Sequence, residues 1–379
     1  MIYLDHNATT APHPEVIEVM MPFISSQQGN PASNHSYGRR AHTAIEDARD
    51  KVAEAVNAHP SQVIFTASGT ESNNTIINGI ARSYPNTHFA YSAIEHPCIS
   101  KPIEAIKKLG FKATEVPVTN MGLINFTNLS QDELASISFL SIMMANNETG
   151  VIQDMVKINR WAKDNDIILH TDAVQALGKL NVDFDSLGVD AMTISSHKIY
   201  GPQGVAALIL NKKIDLHPHL LGGGQEKGLR SGTENIAAII GFGKACELSQ
   251  QNVVRFHEEV KILQSRLENA LIKMGAIIFG KESNRLSNTT FFSFKDTDGS
   301  TLLTALDRKG FAIASGSACS SNSGEPSHVL LAMSVNEDQA KSALRVSLGV
   351  ETSKKQIDDF IKALRQELER LKQLTAVAA

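Results

Sequence analysis

Residues 190–204 read DAMTISSHKIYGPQG. An apolar run ends at Ile194, and Ser195, Ser196, His197 and Lys198 follow at once, ahead of a turn bounded by Gly201 and Gly204. A short apolar run that stops on polar residues reads as a buried strand with its chemistry at the carboxyl end. The same design recurs on both sides. VIFT (63–66), HFAYSAIE (88–95), ISFLSIMMAN (137–146) and DIILHTD (166–172) precede it, and VAALIL (205–210) closes the series. Helical patterns lie between them, as in RAHTAIEDARDKVAEAVNA (40–58), where Ile45, Ala48, Val52 and Val56 share one face. This alternation predicts an α/β fold, a mainly parallel sheet covered by helices. Ligands of such open sheets bind at the carboxyl ends of the strands.

Past about residue 250 the pattern changes. VVRFHEEVKILQSRLENALIKMG (253–275) predicts one long amphipathic helix, TTFFSF (289–294) a strand, DGSTLLTALDRKG (298–310) a helix stopped at Gly310, and SALRVSLG (342–349) a strand. Ser353 and Gln356 form a capping box for a last helix over 354–374. The division expected is a large domain over 15–252 and a smaller α+β domain built from 1–14 and 253–379.

Of the 379 residues, 42% are hydrophobic and 20% charged, enough apolar material for a sizeable core. The net charge of −4 gives no bulk reason to expect nucleic acid or a membrane surface as partner. No apolar stretch approaches the ~20 residues of a membrane span. The start, MIYLDHNATTAPHP, has no basic region followed by an apolar run, so no signal peptide is expected. The cysteines, Cys98, Cys246 and Cys319, are too few and too scattered for a disulfide framework or a zinc site. A reducing, cytoplasmic setting is the expectation.

Lys198, at a strand end, is a candidate imine-forming amine, although alone it reads as a surface lysine. Asp172 ends the preceding strand, and alone it reads as a helix cap. Together the two favour a pyridoxal phosphate site, which needs a lysine for the imine and an acid to keep the pyridinium nitrogen protonated. SGTESNN (68–74) opens a helix after VIFT; Ser68, Gly69 and Thr70 there make either a phosphate cradle or a plain N-cap. Ser195 and His197 would add phosphate contacts. His96 follows HFAYSAIE and is either a ring-stacking proton carrier or a loop histidine. Arg345 in an apolar strand needs a carboxylate, either a structural Asp or Glu or that of an amino acid. ASGSACSSNSGEPS (314–327) sets Cys319 among turn residues with nothing to pack against.

These segments, with YLDHNATT, GNPASNHSYG, MMANNETG, HTDAVQALGK, GGGQEKGLRSGTEN, EPSHVL and LRVSLG, run in order over nearly the whole chain. Together they closely resemble the pyridoxal-phosphate-dependent cysteine desulfurases of the nitrogen-fixation and iron–sulfur-cluster type, in the fold type I class of the aminotransferases. The SGSAC segment resembles the first subgroup, whose cysteine sits on a long mobile loop.

The resemblance implies roles. Lys198 would form the imine with the cofactor and His197 would help bind its phosphate. Asp172 would hold the pyridinium, and Asn147 and Gln175 would contact the phenolic oxygen. His96 would stack on the ring and carry protons. Gly69, Thr70 and Ser195 would bind phosphate, joined by Thr233 from the second subunit of a homodimer. Arg345 and Asn30 would hold the substrate carboxylate, and Cys319 would take sulfur from L-cysteine as a persulfide. An acceptor protein, such as an iron–sulfur scaffold or a tRNA-thiolation protein, would receive it. A selenocysteine lyase or a related lyase or aminotransferase shares the cofactor residues and is the alternative. Position 6 is His where relatives often have Asn or Tyr, which bears on the floor of the site. Cys98 and Cys246 match no catalytic cysteine and are expected to be structural. The Cys319 loop is expected to be poorly ordered at rest.

Overall fold

The computed structural model describes residues 1–316 and 325–378. Its main sheet contains β2 (Val63–Thr66), β3 (His88–Ser92), β4 (Lys112–Val116), β5 (Phe139–Ser141), β6 (Ile168–Asp172), β7 (Ala191–Ser195) and β8 (Ala206–Leu210) in the order β2-β8-β7-β6-β5-β3-β4. β7-β6-β5-β3-β4 are parallel neighbours, and β8 runs antiparallel to both β7 and β2.

Both faces of the sheet are covered, and successive strand residues serve opposite faces. Ile64, Phe89, Phe139 and Leu208 join the core under the helices Gly69–Ser83 and Pro97–Lys107. Their chain neighbours Phe65, Ala90, Leu140 and Ile209 join the core on the other side, with Ile45, Val52 and Phe242 from the helices Ser36–Ala55 and Ile236–Arg255. Those two helices approach closely at Gly243, where a Cβ would lie 2.8 Å from the Ala48 Cα.

The second part of the fold has an antiparallel sheet of β9 (Ala276–Ile278), β10 (Thr289–Phe294) and β12 (Leu344–Ser347), in the order β12-β10-β9. β1 (Ile2–Tyr3) pairs in parallel with β11 (Phe311–Ala312), which ties the start of the chain to this region. Leu344 and Val346 enter a core with Phe292, Phe294, Phe256 and Phe360. Arg345, between them, therefore faces the other way, opposite Phe291.

The structure differs from the sequence reading at several edges. The helix expected to begin at 253 begins at Ile236 and runs through a π-helical turn, Phe256–Val260, to Lys273. Residues 236–252 contact core on several sides, so they lack the one-sided period that marks an amphipathic helix. The strands expected over 88–95, 137–146 and 342–349 are shorter, 88–92, 139–141 and 344–347. β1, β4, β9 and β11 are not anticipated by the sequence pattern. The capping box at Ser353 is present, with Gln356 Oε1 accepting from the Ser353 N–H at 2.8 Å. Among the described residues no helix is long and apolar enough to cross a membrane.

Candidate active site

A cavity of about 280 Å³ opens where the parallel strands end. Asp172 is the last residue of β6 and Ser195 the last of β7, followed directly by a tight turn, Ser196–Lys198. Past β3, His96 caps the helix Pro97–Lys107. Past β2, Ser68 caps the helix Gly69–Ser83, and Asn147 follows β5. Asp172, Ser195, His197 and Lys198 line the cavity. So do Gly69, Thr70 and His96 on one side, and Asn147, Gln175 and Arg345 on another.

The carboxylate of Asp172 is buried and held by neutral donors. Asn73 Nδ2 donates to Oδ2 at 2.8 Å and the Val174 N–H to Oδ1 at 3.0 Å. Lys198 Nζ donates to the backbone carbonyls of Asn7 and Ala8, at 2.5 and 2.6 Å. His197 is pushed down to about 4 by burial, with Lys198 and Lys179 acting in the same direction. His96 is lowered by burial, with Asp172 opposing the shift and Lys198 and His328 adding to it. The Ser68 hydroxyl accepts from the Glu71 N–H at 3.1 Å, so that oxygen works as an N-cap, and the open end of the 15-residue helix faces the cavity at Gly69 and Thr70.

Of the two partners considered for Arg345, the structure holds the structural carboxylate. Nη2 meets Asp5 Oδ1 at 2.7 Å and Nη1 donates to the Asn147 carbonyl at 3.1 Å. Its Nε is buried without an acceptor among the described residues, a donor left over in a side chain that lines the cavity. Gln175 is fixed from two directions, its Nε2 donating to the Asn7 carbonyl at 2.9 Å and its Oε1 accepting from Lys179 Nζ at 2.7 Å.

Two of the expected site residues do not line this cavity. Thr233 and Asn30 are exposed. Thr233 follows a stretch of chain pinned at Glu226 and Arg230. The Glu226 carboxylate accepts from both Arg49 Nη atoms and from the Phe65 N–H, each at 2.8 Å, and Arg230 pairs with Glu71 at 2.6 Å. Cys319 lies outside the described residues. The chain on its N-terminal side is bridged to β12 through Ala314 and Arg345, and on its C-terminal side Ser327 donates to Glu148 at 2.5 Å.

Sequence reasoning missed Asn7, Asn73, Lys179 and Cys98. Asn7 is a hub: its Nδ2 donates to the Asn147 carbonyl and to Thr289, and its Oδ1 accepts from Asn288. YLDHNATT contains it, but nothing local marks its contacts. Cys98, expected to be structural, packs against the core and also lines the cavity, whereas Cys246 is fully buried. His6 does not line the cavity. It packs against Gly349, where a Cβ would fall 2.3 Å from the imidazole, and edge-on to Tyr3.

The donor set fits pyridoxal phosphate. One side offers a helix N-terminus, Ser195 and His197 for a phosphate; another offers a buried carboxylate for a ring N–H; an amine lies between. Comparison with known proteins agrees. Residues 2–360 match the model of the family described as Aminotransferase class-V. The chain is 41% identical over 378 residues to "Cysteine desulfurase IscS" of Dictyoglomus turgidum, covering 99% of this chain and 96% of that one. A solved "NIFS-LIKE PROTEIN" superposes with a TM-score of 0.90 at 33% identity, over 97% of this chain and 99% of its own. A structure described as "SspA in complex with cysteine" superposes with a TM-score of 0.81 at 32% identity, over 92% and 99%. With the strand-end lysine and carboxylate in one cavity and likeness running the length of the chain, this protein belongs to the class-V aminotransferase family, in its cysteine desulfurase branch, and pyridoxal phosphate is its cofactor.

Proposed function

We propose that this protein converts L-cysteine to L-alanine and takes the sulfur as a persulfide on Cys319. The observation that carries the reading is the meeting of Lys198, Asp172, His96 and Arg345 around one cavity, with the segment that holds Cys319 leaving the described chain beside Arg345. Bound pyridoxal phosphate supplies a carbonyl that condenses with amines and a protonated ring that draws electrons from the substrate's α-carbon.

Asp172 would hold the ring N–H through its carboxylate, and the Ser195–Lys198 turn with the 69–83 helix N-terminus would hold the phosphate. Arg345 Nε is the donor available to the substrate carboxylate, with Asp5 and Asn147 fixing the guanidinium. Lys198 takes the α-proton, and His96 carries protons for the thiols. The Cys319 thiolate attacks the substrate sulfur. An S–S bond forms as the Cβ–S bond breaks, and the released electron pair and a proton complete the methyl group of alanine. The reaction is redox-neutral overall: two thiols enter, and a persulfide and alanine leave.

Three further points belong to this reading. The protein is a homodimer in which the exposed Thr233 reaches the partner's phosphate. It divides into 15–252 and 1–14 with 253–379, supported by the separate cores, although the 236–273 rod crosses the boundary. It works in the cytoplasm and hands sulfur to an acceptor protein of iron–sulfur assembly or tRNA thiolation. The decisive test is Cys319→Ala, measured for visible absorbance and for sulfide released from cysteine under reductant. The cofactor band should persist and sulfide release should vanish. Full sulfide release by the variant would remove Cys319 from the chemistry.

A further inference from the structure

Cys98 sits in a hydrogen-bonded chain that joins the two ring-contacting groups of the site. Asn73 Nδ2 donates both to Asp172 Oδ2, at 2.8 Å, and to Cys98 Sγ, at 3.0 Å. Cys98 Sγ lies 2.9 Å from His96 Nδ1, and the Cys98 backbone N–H points at the same nitrogen from 3.2 Å. These contacts have one consistent set of hydrogens. An ionised Asp172 requires the Asn73 amide to present its N–H₂, so the sulfur accepts from Asn73. A backbone N–H can only donate, so His96 Nδ1 carries a lone pair. The remaining hydrogen, on sulfur, then has His96 Nδ1 as its acceptor.

We infer that Cys98 is a positioning residue: its thiol donates to His96 Nδ1 and fixes the imidazole as the neutral tautomer with its proton on Nε2. The thiol form suits the site, because burial raises the Cys98 pKa and Asp172 raises it further. A thiolate there would leave sulfur and Nδ1 as facing acceptors. Two donors on Nδ1 disfavour a proton at that nitrogen, so His96 exchanges protons through Nε2 only. Among the described residues, Asp172 at the end of β6, Lys198 in the turn after β7, and His328 on the helix His328–Ala332 act electrostatically on His96. The inference rests on the proposed role of His96 only for its consequence in catalysis; the tautomer itself is set by the contacts above.

Nitrogen NMR of labelled holoenzyme tests it, comparing wild type with Cys98→Ser and Cys98→Ala across pH. In the wild type Nδ1 should be unprotonated and Nε2 protonated. Cys98→Ser keeps a donor and should keep this pattern. Cys98→Ala removes one donor, and the His96 pKa should rise by about 0.5–1 pH unit, as loss of a single hydrogen bond allows. The acidic limb of the kcat/KM profile should move with it in Cys98→Ala and return in Cys98→Ser. A proton found on Nδ1 in the wild type, or a His96 pKa indifferent to Cys98→Ala, overturns the inference. A His96→Ala variant with full turnover would instead sink the catalytic reading of His96 and leave the tautomer result standing.

Discussion

The two ends of the cavity handle charge in opposite ways. At the Asp172 end a carboxylate is held by the Asn73 amide and the Val174 N–H, which are neutral donors. At the Asn7 end the amines of Lys198 and Lys179 donate to neutral oxygens, the carbonyls of Asn7 and Ala8 and the side chains of Gln175 and Asn7. Neutral partners satisfy hydrogen bonds without neutralising charge. At Asp172 both carboxylate oxygens are engaged by neutral donors. The Lys179 amine sits where burial favours the uncharged form.

Removing the amine should have the largest effect. Lys198→Ala should cut cysteine turnover by roughly 10²–10⁴-fold through lost proton transfer alone, and should lose the visible band of the lysine-bound cofactor. A variant with near-normal turnover would mean that the working amine lies elsewhere. The opposite end should respond less. Asp172→Asn keeps the shape but deletes the charge and turns one of the two acceptor oxygens, which serve Asn73 and the Val174 N–H, into a donor. A hydrogen bond to a charged group contributes about 1.5–3 kcal/mol, so turnover should fall ~10–100-fold. Cofactor affinity, read by dialysis against buffer, should fall with it. Equal turnover for the Asp and Asn forms would show that the charge at this end is idle.

The contrast between the ends was only partly legible in the sequence. Asp172, Ser195, His197 and Lys198 announce themselves because they interrupt apolar runs at strand ends, a local signal. Their partners give no such signal. Asn73 is an ordinary residue of the helix Gly69–Ser83 until the fold brings it to Asp172. Asn7 acquires its role from Asn288 and Thr289, which lie far away in the chain. Lys179, charged by its chemistry, reads as surface, yet it is 3% exposed. The fold shows the same divide. The period-2 and period-3.6 patterns of singly faced elements were readable, while the doubly covered stretch from Ile236 was not, because burial on several sides erases the period.

A substitution at the hub tests how far the Asn7 end depends on the second part of the fold. Asn7→Ala leaves Asn288 Nδ2 short of one acceptor and Thr289 short of one donor, and both residues are buried. Unsatisfied buried groups of this kind should reduce stability by about 1–3 kcal/mol in urea unfolding of the full chain. An unchanged midpoint would show that neighbouring groups re-pair and that Asn7 is no hub.

The smallest effect is the most specific to the charge argument. Burial lowers the Lys179 pKa well below its usual value, with Lys198 and Arg345 acting in the same direction. In the unfolded chain Lys179 regains an ordinary pKa of ~10.4. Between the two values the unfolded state holds a proton that the folded state lacks, so stability rises with pH through this window and is depressed below it. Lys179→Met has no such proton. Other titrations cancel in the difference, so the stability of wild type minus that of the variant should climb with pH below ~10, by at most about 1.4 kcal/mol per unit. The offset of that line carries the hydrogen bonds lost to Gln175 and Asn7, while its slope reports the proton alone. A flat line would mean that Lys179 stays charged in the folded protein, and the Asn7 end would then hold a cation among neutral oxygens.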